Sequence, residues 1–170
     1  RKAMYYLRFR ITQNERLRKP KKLAVVLDID ETALSNYPDM TRLNFGGTFK
    51  EMTKAIDKGK DPAIPYTHTL FSYAKAHNVS VFFVTGRRES ERATTVKNLN
   101  ATGYKGYKHL YMKPVNYNLK SVVPYKSGIR HNIERTGYDI VLNIGDQMSD
   151  LKGGHADMAF KLPDPYYYIA

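Results

Sequence analysis

No cysteine occurs among the 170 residues. That excludes disulfides and thiolate metal sites and leaves the redox compartment open. No apolar run approaches the roughly 20 residues of a membrane span, and no internal repeat or low-complexity stretch appears. The five histidines show no paired spacing of the kind that marks a metal site, so they read as core or surface residues. Acidic residues are outnumbered, 16 against 28 Lys and Arg, for a formal charge of +12. The surplus is local. Residues 1–22 hold nine Lys or Arg and one acid, Glu15, and so carry +8, which leaves +4 for the other 148. A basic body would point to nucleic acid. A basic end reads as a solvated arm or helix ahead of the first strand, with contact to anionic lipid or nucleic acid as the alternative. The remaining 23–170 suit one domain with a real core.

What is present is a pattern of strand ends. In "KKLAVVLDIDETALSN", Leu23 to Leu27 form the short Val-rich run expected of a buried parallel strand. It leads straight to Asp28 and Asp30. Two like charges this close repel, and burying them without a counter-charge costs several kcal/mol. A site that binds a cation and handles a dianion needs such a pair, whereas a structural role seldom does. Val79 to Val84 and Asp139 to Ile144 are similar runs, with His109 to Met112 and Met158 to Lys161 as weaker ones. Helical stretches lie between them. Arg88 to Thr102 places Ala93, Val96 and Leu99 on one face, and Ser121 to Thr136 places Val122, Tyr125, Ile129 and Ile133 on one stripe, each closed by a glycine. Alternating strands and helices imply βαβ units, a mainly parallel sheet and an α/β, Rossmann-like fold. Ligands in such sheets bind beyond the carboxyl ends of the strands. The strong strands end in "DIDET", "TGRRES" and "GDQMSD", which would gather Asp28, Asp30, Thr85, Asp146 and Asp150 at one edge.

Residues 36–77 interrupt the alternation and could cover the aspartates as a small cap. The expected parts are a helix over Thr48 to Lys58 and another over Pro65 to His77, with Tyr66, Leu70, Tyr73 and Ala74 facing the sheet.

These motifs together resemble the haloacid dehalogenase superfamily. Asp28-Ile29-Asp30-Glu31-Thr32 matches its Asp-x-Asp-x-Thr signature, Thr85 its second motif, Lys126 in "YKSGIR" its third, and Asp146 with Asp150 its fourth. The stretches "VVLDIDETALSN", "IGDQMSDL" and "FKLPDPYYYI" are similar to subfamily IIIB, the class C bacterial acid phosphatases and the plant acid phosphatases and vegetative storage proteins. The likeness covers Lys21 to Ile169 and leaves the basic arm outside.

The resemblance implies a phosphomonoesterase. Asp28 would be the nucleophile that forms an aspartyl-phosphate. Asp30 would protonate the leaving oxygen and later deprotonate water, a division that needs one carboxyl ionised and the other protonated. Thr85 would donate to a phosphoryl oxygen or, alternatively, cap the next helix. Lys126 would neutralise the phosphoryl group, with Lys113 in "YMKP" as its rival. Asp28, the Asp30 carbonyl, Asp146 and Asp150 would hold a hard cation, and an all-oxygen set points to Mg²⁺. Gly145 lets the backbone approach closely there. Thr32 and Gly86, with Tyr37 and Phe45 of the cap, are expected on the substrate side, although the two rings could equally pack within the cap. The substrate class is a small phosphomonoester, including nucleotides, so the alternatives are a 5′-nucleotidase and a storage relative without turnover. No nucleic-acid partner is expected, membrane contact through the arm and a homo-oligomer are left open, and the family likeness suggests an extracytoplasmic location.

Overall fold

The computed structural model describes residues 1–46, 48, 51, 54, 58–164 and 166–168. Strands β1 (Lys22–Leu27), β2 (Ser80–Arg88), β3 (His109–Lys113), β4 (Tyr138–Gly145) and β5 (Met158–Lys161) form one parallel sheet in the order β3-β2-β1-β4-β5. The described helices are α1 (Lys2–Glu15), α2 (Tyr37–Arg42), α3 (Pro65–Ala76), α4 (Arg92–Ala101), α5 (Val123–Arg135) and α6 (Met148–Leu151). This is the α/β sheet that the alternation of strands and helices implied.

The central strand explains its own composition. Successive side chains of a strand point to opposite faces. Leu23, Val25 and Leu27 enter one apolar cluster, and Ala24 and Val26 enter another. Both faces are therefore dry, and the run is apolar throughout rather than alternating. The first cluster is covered by Leu7 and Ile11 of α1, Leu70, Phe71 and Ala74 of α3, and Leu99 of α4. The second is covered by α5 through Ile133, with Tyr125 and Ile129 against it. The chain leaves β1 for β2 on one side, and β4 pairs with β1 on the other. That reversal opens a crevice beyond the carboxyl ends of β1 and β4, where Asp28 and Asp146 are the next residues.

Several local expectations change. The basic end is the helix that its reading allowed, but α1 is not simply solvated: it buries Leu7 completely and Ile11 to 6% exposure in the main core, while residues 16–21 stay exposed. Arg10 adds ion pairs to Asp139 at 3.2 Å and to Asp157. Basic residues hid this because their inner partners, Leu7 and Ile11, are few. The outer face keeps Tyr5, Arg8 and Phe9 exposed. In α3 the buried face is Thr67, Leu70, Phe71 and Ala74, whereas Tyr66 is 82% exposed. The i, i+3, i+4, i+7 spacing chose that face, and counting Tyr66 as apolar misplaced it by one residue. In α4 the same shift makes Thr95, Asn98 and Leu99 the buried set and leaves Ala93 exposed. Because α3 belongs to the sheet's cover, the segment that can cap the crevice ends before Pro65. Most of the helix expected at Thr48 to Lys58 lies outside the described residues.

If α1 is part of the core, Leu7→Ala should lower unfolding free energy by about 2–5 kcal/mol. Denaturant titration measures it, and an unchanged midpoint would mean that α1 only rests on the surface.

Candidate active site

After Leu27 the chain turns sharply. Ala33 and Leu34 N–H groups both donate to the Ile29 carbonyl at 2.8 Å, and Glu31 sits at φ 51°. The turn buries Asp28 to 5% exposure and aims its carboxyl toward the end of β4. Asp28, Asp146 and Asp150 each offer a carboxylate oxygen, and these oxygens lie within 4.8 Å of one another. Lys126, two turns before the end of α5 and itself 4% exposed, reaches into them. Its Nζ donates to Asp28 Oδ1 at 2.7 Å and to Asp150 Oδ1 at 2.5 Å. The rival Lys113 makes no such contact among the described residues, and it lies on β3 beside Arg88.

Asp150 is held from all sides. Its Oδ2 accepts from the Gln147 N–H at 2.9 Å, and its carbonyl accepts from Asn143 at 2.9 Å and Arg130 at 2.7 Å. A Cβ at Gly145 would stand 2.3 Å from the Asp150 Cβ and Oδ2. Glycine there is thus a steric requirement of the acidic pair. Asp146 accepts from Thr32 Oγ1 at 3.3 Å and Gln147 Nε2 at 2.6 Å. Thr32, expected on the substrate side, is fully buried and its hydroxyl is turned to Asp146.

Asp30 turns the other way. Its carboxylate accepts from Arg87 Nη2 at 2.7 Å and Nε at 3.1 Å, and from Asn36 Nδ2 at 2.9 Å. Its side chain is outside the carboxylate cluster of Asp28, Asp146 and Asp150. Arg87, 1% exposed, also pairs with Asp61 at 3.2 Å. It lies at the end of β2, which runs through Thr85 to Arg88 with a register shift, longer than the sequence run suggested. Thr85 is fully buried and its Oγ1 accepts the Arg87 N–H at 3.1 Å, so it caps no helix and its O–H proton is left to donate. A Cβ at Gly86 would meet nothing within 4 Å, so packing alone does not demand glycine there.

The electrostatics reverse the expected division between the two aspartates. Burial raises the Asp28 titration well above its ordinary range, Lys126 opposes, and Asp150, Asp146 and Asp30 add to it. Burial acts the same way on Asp30, but the Arg87 charge and its hydrogen bonds outweigh it, and the net shift is downward. Burial likewise lifts Asp146 to about 7. Three buried carboxylates facing one ammonium are short of positive charge. An all-oxygen, hard donor set of this kind fits a divalent cation such as Mg²⁺.

The rim is aromatic. Tyr37 and Phe45, both about half exposed, meet with centroids 6.1 Å apart, and Tyr166 completes a trio at 5.8 Å from each, nearly parallel to Phe45 at 27°. Tyr37 directly follows Asn36, the partner of Asp30. The carboxyl-terminal segment reaches the crevice through Gln147, whose Nε2 also donates to Asp164 at 2.7 Å and to the Tyr167 carbonyl at 3.2 Å. Arg87, Asn36, Asp61, Gln147, Tyr166 and Tyr167 were not singled out from the sequence. "TGRRES" contained Arg87, but nothing in the run distinguished a fully buried arginine from the half-buried Arg88 beside it.

The family model described as HAD superfamily, subfamily IIIB (acid phosphatase), matches residues 2–170, so α1 lies inside the family's span. The stem 28 kDa glycoprotein of Glycine max is 37% identical over 150 residues, 85% of this chain and 59% of that protein. Acid phosphatase 1 of Solanum lycopersicum is 36% identical over 148 residues, 85% of this chain and 58% of that protein. The chain thus spans under two thirds of these relatives. The class C acid phosphatase from Bacillus anthracis superposes with a TM-score of 0.77 at 22% identity, over 98% of this chain and 77% of that one, which is a likeness of fold.

The raised carboxyls fix a pH dependence. Asp146 and Glu31 are lifted to about 7 from ordinary values of 3.8 and 4.5, and Asp61 to about 6 from 3.8. Folded protein keeps these protons where unfolded chain has lost them, so the stability these three groups contribute is fully present at low pH and is lost as pH rises toward 7. In chelator, the melting midpoint should drop between about pH 4 and 7. A flat or rising midpoint would contradict the burial of these groups.

Proposed function

This chain belongs to the HAD superfamily, subfamily IIIB, the acid phosphatases, and we propose that it hydrolyses small phosphomonoesters with Mg²⁺ through an aspartyl-phosphate on Asp28. The observation that carries this reading is the buried set Asp28, Asp146 and Asp150 around Lys126.

A cation held by Asp28, Asp146, Asp150 and the Asp30 carbonyl would supply positive charge that draws phosphoryl oxygens in and lowers the Asp28 titration. Lys126 adds the second positive charge, and Thr85 supports a phosphoryl oxygen with its O–H. An ionised Asp28 oxygen attacks phosphorus as the ester P–O bond breaks, and the leaving oxygen takes a proton from Asp30. Asp30 then accepts a proton from the water that attacks the phosphorus of the aspartyl-phosphate, which frees inorganic phosphate and restores Asp28. Asp30 must therefore be protonated when substrate is bound, although Arg87 favours its ionised form. The incoming phosphoryl dianion is a like charge that pushes its titration upward. Asp28 and Asp30 are both intact, which argues against a storage role without turnover.

The Tyr37, Phe45 and Tyr166 rings beside Asn36 favour a flat leaving group, a nucleobase or an aryl ring. Base stacking on aromatics contributes roughly 1–3 kcal/mol.

A panel of nucleoside monophosphates, aryl phosphates and glycerol phosphate, assayed with Mg²⁺ or chelator, tests both levels. Turnover should vanish in chelator, return with Mg²⁺, and be absent in Asp28→Asn. Phe45→Ala and Tyr166→Ala should raise KM for the ring-bearing substrates by roughly 5- to 150-fold while sparing glycerol phosphate. Chelator-resistant turnover would refute the cation. Equal losses on all substrates would assign the rings to packing.

A further inference from the structure

Spacing along the chain leaves the histidines unpaired, but the fold brings two of them together on the face of α5 away from the crevice. His131 and His155 stand with ring centroids 4.7 Å apart. Glu134, one turn on from His131, places Oε2 2.7 Å from His155 Nδ1. His131, Glu134 and His155 each offer a ligand atom, all within 4.8 Å of one another, and none of the three belongs to the Asp28–Asp146–Asp150 set. We infer that His131, Glu134 and His155 form a second metal site, for a borderline cation of the Zn²⁺ class.

The donor set separates the two sites. Two imidazoles and one carboxylate suit Zn²⁺, Cu²⁺ or Ni²⁺, whereas the all-carboxylate crevice suits Mg²⁺. A tetrahedral site with ligands at about 2.0–2.1 Å spaces the ligand atoms about 3.4 Å apart. Reaching that spacing from the present spread takes side-chain rotation, which the exposed His131 and the half-buried Glu134 and His155 leave room for.

The backbone that presents His155 is already fixed. Arg130, the neighbour of His131 and 1% exposed, donates to the carbonyls of Asp150 at 2.7 Å, Lys152 at 2.5 Å and Gly154 at 2.8 Å. Gly153 packs on α5 at φ +87°, where a Cβ would meet Ser127 Cβ at 2.5 Å. The loop and the helix are thus clamped together next to the ligands, and a metal ion need not assemble the site. Bound there, the ion ties the helix that carries Lys126 to the loop that follows Asp150.

Titration calorimetry with ZnCl₂ into full-length protein in excess Mg²⁺ tests the site without reference to turnover. Wild type should bind one more Zn²⁺ per chain than His131→Ala or His155→Asn, or bind it at least tenfold tighter. Asparagine is chosen at position 155 because it tolerates the φ of +65° found there, and circular dichroism checks that both variants fold. Co²⁺ in place of Zn²⁺ should give visible absorption bands in wild type that both variants lose. Identical stoichiometry, affinity and spectra in all three proteins would overturn the inference and leave His155 and Glu134 as a surface pair.

Discussion

One ammonium group buried against carboxylates holds the crevice together. Lys126 bridges Asp28, at the end of the central strand, to Asp150, on the helix beyond the neighbouring strand. Removing either partner would strand a charge in a site less than 6% exposed, which is among the costliest single changes available to a protein. The surroundings serve this contact. β1 and β4 must be adjacent, Gly145 must lack a side chain, and Arg130 and Asn143 must fix the Asp150 backbone. The bridge also leaves the group short of positive charge, which is the physical reason the site calls for a cation.

A second buried cation divides the two motif aspartates. Arg87 draws Asp30 away from the cluster and ties it to Asp61, at the end of the segment that can cover the crevice. Two carboxyls two residues apart thus face different counter-charges, and their titrations separate. Gln147 makes the corresponding link to the other wall, joining Asp146 to Asp164 and the Tyr167 carbonyl. Both walls are therefore tied by hydrogen bonds to the acidic residues of the crevice.

The strand runs and the residues that end them were legible because burial on both faces of a parallel sheet leaves a continuous apolar signal. Asp28, Asp146, Asp150 and Lys126 followed from those ends and from the resemblance. What stayed hidden depended on burial of polar groups. Nothing marks Arg87 or Arg130 as buried, since their partners lie far along the chain and several are backbone carbonyls. The motif marked the position of Thr32, but not its hydrogen bond to Asp146. The His131–His155 pair was invisible for a related reason, because a glycine-rich loop supplies the second ring from 24 residues away. The packing of helix α1 was hidden because charge dominates its composition, whereas two side chains, Leu7 and Ile11, seat it in the core.

The central claim is that Asp28, freed by a cation from its raised titration, attacks phosphorus. The most direct measurement is acid quench of the Mg²⁺-loaded protein during turnover of a ³²P-labelled monoester, followed by peptide mapping. The account predicts acid-stable label on the peptide containing Asp28 and none in Asp28→Asn; with an activated aryl monoester, whose leaving group needs no proton, Asp30→Asn should hold more label, because water attack lacks its base. Turnover with no label on that peptide, or label that persists in Asp28→Asn, would contradict it.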